Sequence, residues 1–119
     1  MNKPTIVLEF DGVINDMLHG WKGVDTIDGE PVKGVKESLD ELSEEYRVVV
    51  HSFRCKEKRG KKAVKEWLDD NNIPYDDVVL NLPPHLAYIS QKSIKFERNW
   101  EDELTEKLKR MNPSLEWGD

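Results

Sequence analysis

The sequence predicts an α/β domain: a three-layer α/β/α sandwich around a central parallel sheet. Three observations predict it. Short β-branched and apolar runs alternate with longer segments whose apolar residues recur at helical spacing, in the order β-α-β-α-β-β-α. The strand candidates are continuous apolar runs, as in strands covered on both faces. The length, 119 residues, is that of one domain with one core.

The first strand is Thr5-Ile6-Val7-Leu8-Glu9-Phe10, stopped by Asp11-Gly12. Residues 11–33, rich in glycine and aspartate, read as a long loop with room for a short hairpin or flap. From Gly34 onward, Val35, Leu39, Leu42 and Tyr46 keep the spacing of one buried helix face. Tyr46–Ser52 is a second buried strand. A second helix runs from about Glu57 to Asn72 on a stripe of Ala63, Val64, Trp67 and Leu68, and ends before Pro74. Asp77–Leu80 and Leu86–Ile89 are short strands on either side of Pro83-Pro84, and Ile94-Lys95-Phe96 is a small fifth one. Asn99 caps a last helix with stripe Leu104, Leu108 and Met111, which Pro113 ends. The domain is expected to span residues 1–112, with 113–119 as a loose tail carrying an exposed Trp117.

Composition narrows the function. The net charge of −6 argues against a nucleic-acid partner, because phosphate backbones are usually met by basic surfaces. The basic stretch Lys56–Lys62 reads as a solvated helix turn. No apolar run approaches the ~20 residues that span a bilayer. Ile6-Val7-Leu8 is too short for a signal peptide. One cysteine excludes an internal disulfide framework and a cysteine-cluster zinc site. A cytoplasmic protein is the expectation.

Ligands of parallel α/β sheets bind at the carboxyl ends of the strands, so the residues there carry the functional argument. Glu9 and Asp11 straddle the end of the first strand, and Gly12 lets the backbone turn. Such a pair can supply a nucleophile or metal ligand and a general acid/base. Ser52 and Arg54 end the second strand. Asn81-Leu82 and Ser90-Gln91-Lys92 end the third and fourth.

Six ordered segments carry a resemblance: Glu9-Phe10-Asp11-Gly12-Val13, Gly20-Trp21-Lys22-Gly23, His51-Ser52-Phe53-Arg54-Cys55, Asn81-Leu82-Pro83-Pro84, Ile89-Ser90-Gln91-Lys92-Ser93-Ile94 and Phe96-Glu97-Arg98-Asn99-Trp100. From about Thr5 to Leu108 the chain resembles a small capless branch of the haloacid dehalogenase-like (HAD-like) hydrolases, a Rossmannoid superfamily. The resemblance implies a capless HAD-like fold and, in an active member, a magnesium-dependent phosphohydrolase. The family's attacking Asp falls on Glu9, its general acid/base on Asp11, and its phosphoryl-binding Ser or Thr on Ser52. Its lysine position holds Leu82, and its magnesium-binding aspartate positions hold Ser90 and Gln91.

Each departure has a physical consequence. The extra methylene of Glu9 moves a carboxylate by about 1 Å, and a misplacement of that size can lower a rate on the order of 100-fold. Without a cation at position 82, charge on the transferring phosphoryl group goes uncompensated. Magnesium is left with at most Glu9, Asp11 and neutral oxygens as ligands. The expectation is a HAD-like domain that has lost phosphohydrolase activity, a pseudo-phosphatase. Its cleft is kept for a small anion, phosphorylated or otherwise, or for a protein partner, and no cofactor is needed. The phosphate- or ligand-binding candidates are Gly12, Ser52, Arg54 and Lys92. The first alternative is an active magnesium-dependent enzyme, with Glu9 replacing the nucleophilic Asp and Lys92 the missing lysine. The second is a pure interaction module using the long loop or exposed tryptophans. Arg54 has two readings of its own, a grip on an anion or an ion pair with Asp11 or Glu9. His51 reads as a structural histidine and Cys55 as a small buried residue.

Overall fold

The computed structural model describes residues 2–93, 98, 100 and 104–110. Four strands form one parallel sheet: β1 (Thr5–Glu9), β2 (Arg47–His51), β3 (Asp77–Val79) and β4 (Ala87–Ile89). Their order is β3-β2-β1-β4. Three helices accompany them: α1 (Val35–Leu42), α2 (Lys58–Asp70) and α3 (Thr105–Arg110). A 3-10 turn, Phe53–Lys56, links β2 to α2. The expected fifth strand at 94–96, the cap at Asn99, the helix end at Met111 and Pro113, and the tail at 113–119 with Trp117 lie outside the described residues.

The register explains the division of labour between the two faces. Ile6 pairs with Val48 and Leu8 with Val50, and Val50 pairs in turn with Val78. Paired residues of a parallel ladder share a face, so these five side chains form one apolar surface. Leu39 of α1 and Val64, Trp67 and Leu68 of α2 close over it, in one core with Phe10, Ile14 and Ile73. Both helices lie on this face for a topological reason. The chain steps from β1 to β2 to β3 in one direction, and right-handed crossovers then fall on the same side.

On the opposite face Val7 and Val49 are fully buried, with Glu9, His51 and Tyr88 in the same alternation. From β3 to β4 the chain runs back across the sheet through residues 80–86, which contain no helix. That connection is held at its start by His51 Nε2 to the Leu80 carbonyl, 2.9 Å. At its end the Leu86 N–H donates to the Thr5 carbonyl, 2.8 Å.

β1, β2, α1 and α2 sit close to where local pattern puts them, whereas α3 begins at Thr105, after the expected start at Asn99, and Leu108 of its expected stripe is exposed. α1 stops at Leu42, but its stripe continues, because the Tyr46 N–H donates to the Leu42 carbonyl (2.8 Å) and turns the ring onto the core. After α2, Asn72 takes a left-handed conformation, φ 56°, which asparagine tolerates better than most residues. The long loop after β1 is tied down by the pairing of Asn15 with Asp11 and Pro31. Trp67 also anchors it, donating its indole N–H to the Gly29 carbonyl at 3.2 Å. Trp67→Phe, which keeps most of the apolar contact and deletes that donor, is expected to lower stability by about 1–2 kcal/mol in urea denaturation. An unchanged midpoint would mean that the indole N–H does not hold the loop.

Candidate functional site

The carboxyl ends of β1 and β2 open into a cavity of about 280 Å³. Its polar lining is Glu9, Asp11, His51, Ser52, Lys56 and Lys92, and its apolar lining is Met17, Trp21 and Phe53. Glu9, Asp11, Ser52 and Lys92 come from three separate segments, and the parallel register brings them to one place. Lys56 was not singled out as a site residue from the sequence. The 3-10 turn carries it out of the basic stretch and back over the strand ends. Leu82 and Gln91 do not line the cavity.

Gly12 is buried with φ 91°, a conformation strained for any residue with a Cβ, and its N–H donates to the Asn15 carbonyl at 2.7 Å. It turns the chain sharply after Asp11. Ser52 caps the 3-10 turn, its hydroxyl oxygen accepting from the Arg54 N–H at 3.1 Å. The hydroxyl proton remains available to an acceptor in the cavity.

Arg54 lies beneath the cavity wall, only 1% exposed. Its Nε donates to both Asp11 oxygens, at 3.0 and 3.3 Å, and its Nη2 to Asp11 Oδ1 at 3.1 Å. Nη1 donates to the carbonyls of Gly23 and Val24, at 2.7 and 3.1 Å, with Thr26 more distant at 3.4 Å. Trp21 covers the guanidinium, with its ring centroid 4.3 Å from Cζ. Of the two readings of Arg54, the structure takes the ion pair with Asp11. The guanidinium joins the first strand end to the long loop, an arrangement no local pattern announces because its partners lie 28–43 residues away.

Glu9 is placed differently. Its Oε2 accepts from the Ser90 hydroxyl at 3.2 Å and lies 3.5 Å from the Tyr88 hydroxyl. Its Oε1 is buried without a hydrogen-bond partner. His51 Nε2 faces a carbonyl, which only accepts, so Nε2 carries a proton. In the neutral ring Nδ1 then accepts from Tyr88, 3.0 Å away. That geometry commits the one phenolic proton to His51 and leaves Ser90 as the principal donor to Glu9. Burial, then the neighbouring Glu9 carboxylate, push the Tyr88 phenol above its ordinary value, so it stays a neutral donor at physiological pH. Burial likewise pushes the Cys55 thiol up, which lowers its nucleophilic fraction.

Among the described residues no group of three or more His, Cys, Asp and Glu side chains gathers around a common point. The two carboxylates that could face a magnesium ion are unequally available. Both oxygens of Asp11 already accept from Arg54, and Oδ1 also accepts from Asn15 at 3.1 Å. A divalent ion there would sit beside a buried guanidinium of like charge. Among the described residues, the donors at this point, with Arg54 beside Asp11, do not make a set that suits magnesium.

No family model matches the chain, and neither a curated protein nor a solved structure matches it significantly. No helix is long and apolar enough to cross a membrane among the described residues.

Proposed function

We propose that this chain is a capless HAD-like domain, with the three-layer arrangement of that fold, which no longer hydrolyses phosphate and keeps its cleft to bind a small anion. One observation carries the reading: the buried Arg54 occupies the carboxylate of Asp11. A general acid/base needs a carboxylate oxygen open to the reacting group, and here Arg54 donates to both oxygens and Asn15 to Oδ1, which leaves a single lone pair, on Oδ2, for a reacting group. The protein's own fixed cation stands where hydrolysis would want an exchangeable one. The cavity supports the anion part. With Asp11 offset by Arg54, its lining holds the Lys56 ammonium, which has no ion pair among the described residues, together with the Ser52 hydroxyl. Its volume lies at the small end for ligand sites and suits a small metabolite.

The expected result is no magnesium-dependent phosphate release from p-nitrophenyl phosphate above a protein-free control. Release that Asp11→Asn abolishes would overturn the reading. It would favour the active alternative, whose supporting observation is that Glu9 and Lys92 line the same cavity.

A further inference from the structure

We infer that the cleft takes a compact zwitterion, a molecule with one ammonium group for Glu9 and one phosphate or carboxylate for the Lys56 side of the cavity. The inference rests on the anion-binding reading and adds the second charge.

Glu9 supplies the reason. Its side chain lines the cavity, yet no cation lies within ion-pair distance of it among the described residues. Its contacts are the neutral hydroxyls of Ser90 and Tyr88, and Oε1 has none. A part-buried carboxylate with an unfilled oxygen carries a desolvation cost, which a hydrogen-bond donor lowers and a cationic donor lowers most. The terminal torsion of a glutamate is broad and its two oxygens are equivalent, so either of them can be the one that meets a ligand in the cavity. Asp11 beside it makes no such demand, because Arg54 neutralises it. The cavity thus has one unmatched negative pole.

The positive pole is Lys56, which has no ion pair among the described residues, and the Ser52 hydroxyl lines the same cavity with its proton available to an anion. Met17, Trp21 and Phe53 line the same cavity and provide apolar contact for a short carbon spacer. A ligand with the anion alone would leave Glu9 unmatched and set a second negative charge near it.

The test is a titration of the full chain with a matched pair, phosphoethanolamine and ethyl phosphate, followed by amide chemical shifts in NMR. The two probes differ in the ammonium group. Phosphoethanolamine is expected to bind about ten-fold more tightly, the effect of one charge-assisted contact. Glu9→Gln is expected to remove that preference and leave ethyl phosphate unweakened. Lys56→Ala is expected to weaken both probes, and the same spectra report whether each variant is folded. Equal affinity for the two probes would overturn the zwitterion and leave the anion reading standing. Tighter ethyl phosphate binding on adding magnesium would put a metal at Glu9 and overturn the inference. Absence of shifts at Ser52–Lys56 with either probe would overturn the anion reading and the inference with it.

Discussion

Arg54→Leu is expected to destabilise the protein by about 3–5 kcal/mol, the usual result of deleting one partner from a buried ion pair. The side chain is 1% exposed and bonds the Asp11 carboxylate and the loop carbonyls of Gly23 and Val24. Leucine would fill part of the volume but would leave Asp11 without its counter-charge and two carbonyls without donors, each an unmet desolvation cost of about 1–3 kcal/mol. Loop relaxation and water entry recover some of that, so the terms do not add. Urea denaturation should show the loss, with a fall in Tm of roughly 10 °C or more. Arg54→Lys should rescue little, because a single ammonium cannot reproduce a planar fork that meets a carboxylate and two carbonyls at once. In a double-mutant cycle, Asp11→Asn should destabilise the wild type more than it destabilises Arg54→Leu. A loss below about 1 kcal/mol in Arg54→Leu would remove the guanidinium from its assigned role, and with it the main support for a non-hydrolytic site.

Gly60→Ala is the second large effect, and its sign runs against helix propensity. Glycine inside a helix is ordinarily about 1 kcal/mol worse than alanine, so the exchange should stabilise α2. Here a Cβ would sit 1.9 Å from the Arg54 carbonyl oxygen and 2.8 Å from its carbonyl carbon. Both are backbone atoms of the 3-10 turn and cannot swing aside. The turn would have to shift, and it carries both Arg54 and Lys56. The expected outcome is a loss of about 2–3 kcal/mol, in the range of overpacked cores. Because the displaced turn also positions the cleft, any ligand affinity should fall in parallel. A stability equal to or above wild type would mean that turn and helix can separate freely.

These two residues show how unevenly the molecule can be read from its sequence. The strand runs at Thr5–Glu9 and Arg47–His51 were legible because each is a β-branched stretch whose signal lies within a few residues. The stripes of α1 and α2 were legible for the same reason, and Leu39, Val64, Trp67 and Leu68 are where helical spacing puts core residues. The short edge strands were harder to bound, since three residues carry little periodicity and their limits depend on the partner strand. At the site, Glu9, Asp11, Ser52 and Lys92 could be nominated because strand ends of a parallel sheet converge, and they do line one cavity.

The sequence by itself determined that a parallel α/β sheet forms and that acidic, hydroxyl and basic side chains gather at its carboxyl edge, because strand and helix periodicities are local and crossover handedness turns them into a topology. Only the tertiary structure decided which of those side chains face each other. Arg54 chose Asp11, Glu9 was left to neutral hydroxyls, His51 met Tyr88, and Lys56 came round from a stretch that reads as solvated surface. Each choice joins groups far apart along the chain, and the energy of an ion pair or hydrogen bond depends on their separation in space to within tenths of an ångström, a quantity fixed only once the sheet register and the turns between elements are in place.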